Sequence, residues 1–299
     1  MSRALARAPL DLHVLAVDWS PSQTAGAERL DKIVQANSTT AKAGSLTHTT
    51  NSLDAPAIQR VLQSWPLPAA EPSAPQPEPA LLVALHACGN LTPDALTAFV
   101  ADARASSTAA PRRMVAVGCC YNLLTPTTFP MSLLVRGLPT AALERDHLRL
   151  TPQSPPTWHL SPASTAAWKA SLVKLAHRAR LEAELSLIGE GDGRSSEKRV
   201  GRLPSFAGGY EAYRGAALAK FGAAGECPML ALGVGWEEAL WRLEVFWTIR
   251  SWVGPVAESL LVLDRWAFLI EGLPGRQVEA VNVFEQSTGS LRNLALVVR

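Results

Sequence analysis

Cysteine is scarce in this sequence and does not pair in any recognisable pattern. The four are Cys88, Cys119, Cys120 and Cys227, two of them adjacent, in 299 residues. That excludes a disulfide framework and makes a reducing, intracellular compartment the default, cytoplasmic or nuclear. Long uninterrupted apolar runs are also lacking. The most apolar late stretch, "WVGPVAESLLVLDRWAFLI", contains Pro255, Glu258, Asp264 and Arg265. Carrying three charges into a bilayer is unfavourable, so buried helices are expected and no membrane partner. The first residues, "MSRALARAPL", lack the apolar core of a secretory leader. Neither charge is in excess. The net +2 argues neither for nor against nucleic acid. No internal repeat is visible.

What is present is apolar and alternating in kind. At 47% hydrophobic, the chain can build a real core for one large or two ordinary domains. "SRALAR" reads as a helix ended by Pro9. "LHVLAVD" reads as a strand covered on both faces. A polar turn and a helix follow, then "SLTHTTNSL", a β-branched second strand. "DAPAIQRVLQSW" is a helix with Asp54 at its N-cap and Pro56 in its first turn. Residues 66–79, "PLPAAEPSAPQPEP", form a proline-rich insert that cannot continue a helix or a ladder. "ALLVALHACG" is a buried strand, "TPDALTAFVADAR" a helix with Thr92 as its cap, and "RMVAVGCCYN" a further buried strand. Strand and helix alternate with short joints, which predicts a parallel sheet built from right-handed crossovers.

Beyond residue 125 the pattern turns helical, with segments at 163–187, "GYEAYRGAALAKFG", "WEEALWRLEVFWTIRSWV" and "VAESLLVLDRWAFLIEGL". The chain closes with "VEAVNVFEQ", a turn at "STGSLRN" and "LALVVR", which predicts an antiparallel pair. "GEGDG" and "GVG" neither follow a strand nor open a helix, so they are not phosphate loops. Arg194, Lys198, Arg199 and Arg202 read as a solvated loop rather than an RNA contact. Trp236, Trp241, Trp247 and Trp252 read as helix-packing surface rather than a base-stacking platform.

A doubly wound sheet places its ligand beyond the carboxyl ends of its strands. Asp18 stands at such an end, where a carboxylate accepts hydrogen bonds from a ribose diol; its alternative role is a cap for the following turn. The first strand and Gly-rich turn that normally precede such a segment are not found ahead of "SRALAR". The expectation is a chain that starts inside its first helix, with the residues alone marginally stable and binding a cofactor weakly or not at all. The closing antiparallel pair is a feature of Rossmann-like, nucleotide-dependent methyltransferases.

The segments "AVDWSPSQTAGAERL", "LHACGNLT", "VGCCYNLLT", "FPMS", "GPVAESLLVLDRW" and "SLRNLALV" together resemble the methyltransferase-like protein 25 family, also called ribosomal RNA adenine dimethylase domain-containing proteins. The resemblance runs over nearly the full length. It implies a class I methyltransferase sheet, mostly parallel with a C-terminal antiparallel strand pair, the first strand missing, plus a mostly helical insert. The implied layout is a methyltransferase-like core at 1–128, the helical insert and substrate region at 129–274, and the final strand pair at 275–299. It implies S-adenosylmethionine as cofactor, with Asp18 as the ribose-binding acid and the turn His86, Ala87, Cys88 and Gly89 at the cofactor-side edge; Trp19, read as a cover for the adenine ring or as core, and Asp54 are the further cofactor-binding candidates. The sequence departs from the family pattern in lacking the Gly-rich loop, in Asn90 for the usual Asp, and in Leu291 for the usual Pro.

Methyl transfer from a sulfonium asks for in-line positioning and exclusion of water rather than a catalytic triad. Candidates for the catalytic region are Asn90, Tyr121 and Asn122, lining one pocket with His86. His86, Cys88, Cys119 and Cys120 also suggest a zinc site with ligands at about 2.0–2.3 Å, or a cysteine nucleophile with His86 as base. Against zinc, the spacing is not finger-like, free cysteine is a small buried hydrophobe, and adjacent Cys119 and Cys120 should point to opposite faces of a strand. No metal is therefore expected. The methyl acceptor is open between protein, RNA and small molecule. The rival reading is a non-catalytic protein-interaction or RNA-binding module built on the same fold.

Overall fold

The computed structural model describes residues 1–7, 9–36, 44–65, 80–105, 113–139, 143–148, 150–151, 161–188, 208–221, 229–231, 233–284 and 293–299. The proline-rich insert, the basic loop and most of the "STGSLRN" turn lie outside them. The chain forms two compact units, Met1–Thr151 with Val256–Arg299, and Pro152–Pro255. No helix among the described residues is long and apolar enough to cross a membrane.

The first unit is mixed α/β and Rossmann-like. It runs α1 (Ser2–Leu5), β1 (His13–Asp18), α2 (Pro21–Ala36), β2 (Ser45–Thr50), α3 (Ala55–Ser64), β3 (Leu81–Cys88), α4 (Leu91–Ala105) and β4 (Arg113–Cys119). Two short helices follow, α5 (Leu133–Arg136) and α6 (Arg145–Leu148). In the second unit come α7 (Pro162–Ile188) and α8 (Gly209–Phe221). The helix α9 (Trp236–Gly272) starts in the second unit and ends in the first, where β5 (Val278–Asn282) and β6 (Leu294–Val298) complete the chain.

β1 and β2 pair in parallel, with His13 opposite Ser45 and Asp18 opposite Thr50. The other four strands lie in the order β3-β4-β6-β5. β3 and β4 are parallel, and β6 is antiparallel to both β4 and β5, as the closing sequence pattern predicts. Among the described residues β1 has β2 as its sole strand neighbour and β3 has β4, so the sheet is interrupted between them.

The core sits around β4 and β6. Met114, Ala116, Leu296 and Val298 pack against Leu96 and Phe99 of α4 and against Val262 and Leu269 of α9. Each large apolar side chain buried this way contributes about 1.5–3 kcal/mol. A smaller cluster of Ile58, Ala95 and Ala98 packs α3 on α4, and so ties the β1–β2 pair to the larger sheet through its helices. The α3 start is as read: Asp54 caps it, its Oδ1 accepting from Ala57 N at 2.9 Å.

Several local expectations need correction. Thr92 is not the cap of α4. It lies in the first turn, fully buried, and its hydroxyl donates back to the Ala87 carbonyl at 2.7 Å. The two late helices are one, because α9 runs through Pro255. Proline removes a single intrahelical bond, and strong helix formers on both sides carry the helix past it. Trp241 and Trp252 are 63% and 69% exposed, so they do not serve as packing surface.

In the second unit every described element is helical. Glu184 is fully buried and accepts from Arg180 Nε at 3.3 Å, Arg214 Nε at 2.8 Å and Leu230 N at 2.9 Å. Burial opposes its ionisation, but the Leu230 amide and Arg214 among these donors outweigh it and hold its carboxyl below the usual range. His177 is buried in an aromatic stack with Trp236 and Tyr213, ring centroids 5.1 and 5.8 Å away.

Candidate functional site

The carboxyl ends of β1, β3 and β4 are Asp18, Cys88 and Cys119, the edge where this architecture takes ligands. At β1, Asp18 Oδ1 accepts from Ser20 N at 2.8 Å and so closes the turn into α2. Its second carboxylate oxygen has no partner among the described residues. Trp19 beside it is 72% exposed. One oxygen of Asp18 thus caps the turn.

Asp54 follows β2. Its carboxylate is occupied by Ser52 Oγ at 2.6 Å and the Ala57 amide, which hold its pKa below the ordinary value. Asp94 on α4 lies close by. Burial pushes its pKa up, the Ala55 N–H it accepts pulls the other way, and the charge of Asp54 adds to the rise.

The end of β3 is irregular. The ladder with β4 shifts register between Ala84 and Ala87, and His86 sits at φ 57°. Gly89 has φ 55°, and a Cβ there would meet Leu123 Cβ and O at 2.9 Å. Only glycine satisfies both the conformation and the close approach. Ala87 is fully buried, and Cys88 is exposed.

Asn90 bridges this turn to the loop after β4. Its Oδ1 accepts from Thr125 N at 2.9 Å and Thr128 Oγ1 at 3.3 Å, and its Nδ2 donates to Thr125 Oγ1 at 3.2 Å. Tyr121 is buried, with the Arg265 guanidinium 5.1 Å from its ring centroid. Burial lowers the pKa of Arg265, against the pull of Tyr121, Asp264 and Glu258. Asn122, half-exposed, makes no hydrogen bond among the described residues.

The cysteines converge. Cys88 Sγ lies 3.1 Å from Cys119 Sγ and 3.5 Å from Cys120 Sγ. The expectation that Cys119 and Cys120 point apart fails for a local reason. β4 ends at Cys119, and Cys120 turns into the left-handed region at φ 50°, ψ 46°, outside the alternation of a strand. Burial, then the neighbouring thiols, push the Cys119 pKa far above its usual value, so in the protein alone it is a neutral thiol.

Sequence reading placed Asp18, His86, Ala87, Cys88, Gly89 and Asn90 at or next to strand ends and Asp54 at the cap of α3, and they are there; Tyr121 and Asn122, read as the end of the fourth strand, lie past it, because β4 ends at Cys119. The sequence reading missed Thr125, the partner of Asn90, and Arg265, the partner of Tyr121. The signal for Arg265 was a charge inside an otherwise apolar stretch. A hollow lined by Arg3, Asp31, Gly44 and Leu46 lies toward the opposite, amino end of β2. There Asp31 is held by Arg3 and His48; burial works against its ionisation, but these partners outweigh it and lower its pKa. That hollow is a structural ion cluster away from the ligand edge.

Comparison with curated proteins and with solved structures finds no match. Residues 1–127, which carry β1 to β4 and all of the strand ends described above, match a protein-family model described as a methyltransferase domain.

Proposed function

We propose that this chain is an S-adenosylmethionine-dependent methyltransferase, of the kind found in the methyltransferase-like protein 25 family that its sequence resembles. The observation that carries the reading is Asp18: a carboxylate at the end of a parallel strand, anchored through one oxygen and open at the other. That acceptor suits the ribose diol of the cofactor, with Trp19 available to cover the adenine. The methyltransferase-domain match over residues 1–127 supports it.

When bound, the cofactor supplies an electrophilic methyl on a sulfonium, so the protein's share is placement. Asp18 accepts the diol hydroxyls in charge-assisted hydrogen bonds. Asp54 holds the start of α3 and keeps the second strand end in place. The turn at His86–Gly89, free of a Cβ at its last residue, lets Leu123 pack against it and so sets the wall beyond β3 against the loop after β4. Asn90 locks this turn to the Thr125 loop, so the two walls beyond β3 and β4 move as one. Tyr121 is held under Arg265 and fixes the floor. Asn122, with its amide uncommitted, is the residue assigned to meet the methyl acceptor.

Equilibrium binding of S-adenosylmethionine to the chain and to Asp18→Ala tests the reading. Loss of one charge-assisted bond is worth about 1.5–3 kcal/mol, a weakening of roughly 10- to 150-fold. Unchanged affinity removes Asp18 from the site. No binding at millimolar cofactor, either by this chain or by one extended with a preceding strand and Gly-rich turn, favours the non-catalytic interaction module instead.

A further inference from the structure

Cys88, Cys119 and Cys120 bring three Sγ atoms within 4.8 Å of one another. They come from the ends of two neighbouring parallel strands, Cys88 being the register partner of Cys119. The third sulfur arrives by a different route. Cys120 takes the left-handed conformation, which is unfavourable for a residue with a Cβ. Strain of that kind persists where the surroundings enforce it, and it gathers at functional sites. Here its effect is to bring Cys120 Sγ to Cys88.

The burial of the three also departs from that of inert cysteine, which is usually enclosed. Cys119 is buried, Cys120 half-exposed and Cys88 exposed. The cluster is thus anchored at its base and open at its mouth.

We infer that these three cysteines form a binding site for one thiophilic d10 cation, zinc by preference, held by three thiolates with the fourth position open. Zinc–sulfur bonds of about 2.3 Å in a tetrahedral site place the sulfurs about 3.8 Å apart. The distances of 3.1 and 3.5 Å reach that value by small side-chain rotations. Binding balances as three thiols and one divalent cation giving a tris-thiolate complex of net charge −1 and three released protons. The ion's charge supplies what a buried Cys119 thiolate lacks. Three protein ligands with one open position is the arrangement of reactive rather than purely structural zinc. The inference does not depend on the methyl-transfer reading, because its readout is metal binding without cofactor or acceptor.

The test uses the full chain without a metal-binding tag, reduced and handled without oxygen. Cobalt(II) is added and the thiolate-to-metal absorption followed, and zinc is then titrated as competitor. The expected result is about one metal per chain with a tetrahedral cobalt spectrum. Cys88→Ser and Cys120→Ser, both at accessible positions, should lose the thiolate band and weaken zinc binding roughly tenfold or more. Cys227→Ser, which removes the remaining cysteine, should bind as the unaltered chain does. No thiolate–cobalt band in the unaltered chain overturns the inference, as does equal binding by all variants. So does a reduced chain that takes up no metal but forms a Cys88–Cys119 disulfide with oxidised glutathione, which makes the cluster a redox pair.

Discussion

Asp264 and Ser132, 132 positions apart, are joined twice: Ser132 N donates to Asp264 Oδ1 at 2.9 Å and Ser132 Oγ donates to the same oxygen at 2.8 Å. Met131 N adds a bond to Oδ2 at 2.8 Å. Two turns along α9, Glu271 accepts from Leu133 N and Leu134 N at 2.8 and 3.0 Å. One acidic face of α9 therefore satisfies the first amides of α5, which a short helix leaves without intrahelical partners. Through α5 it fixes the segment that follows the Asn90–Thr125 clamp.

The two carboxylates differ in burial, and so should their value to stability. Asp264 is 1% exposed, whereas Glu271 lies at the surface. Asp264→Ala leaves buried N–H and hydroxyl groups unpaired and should destabilise the chain by about 3 kcal/mol, the sum of more than one lost charged bond. Glu271→Ala should cost about 1 kcal/mol or less. Urea denaturation of both variants gives the comparison; equal losses would show that α9 does not hold α5 through Asp264.

How far these features were legible in the sequence depends on how local they are. The cap at Asp54 was legible because Asp, Pro and the apolar spacing of α3 lie within a few residues. The closing antiparallel pair was legible from two apolar strands at the chain end. The Cys120 position was not, because it turns on one backbone dihedral just past the end of β4. The Asn90–Thr125 and Ser132–Asp264 links were not, since they join residues 35 and 132 apart with no periodic signal between them. The continuity of α9 was hidden by Pro255, which reads as a break when its neighbours' helical preference is not weighed against it.

The helical unit should weaken in mild acid through His177. Burial, then the charge of Arg180, lower its pKa below the ordinary imidazole value, so the folded unit holds it neutral. The unfolded chain protonates it at about 6.5. The unfolded state therefore binds more protons in the window below that value, and stability falls as the pH drops through it. Above it the contribution is complete. The stack on Trp236 gives an optical reporter. Denaturant midpoints followed by tryptophan fluorescence should decline from pH 7.5 to 5.5, and His177→Phe should flatten that slope. The same slope in the variant would assign the effect to other groups.

The interruption between β1 and β3 predicts a pattern of amide exchange inside single strands. Ser45 N donates to Leu12 O and Arg113 N to Ala80 O, which sets the phase of both parallel ladders. Backbone groups alternate sides along a strand, so Val14 and Ala16 face β2, while Leu15 and Val17 face away. Likewise Leu82 and Ala84 face β4, while Leu81 and Val83 face away. An unpaired strand edge leaves its N–H groups to water, and they exchange without any ladder bond to break. Amides of Leu15, Val17 and Val83 should therefore exchange much faster than those of Val14, Ala16 and Leu82. The contrast within one strand cancels global stability, which acts on all of them alike. Hydrogen exchange read by NMR at single-residue resolution decides it: equal protection at Leu15, Val17 and Val83 would mean that both edges are covered by a further strand in the protein.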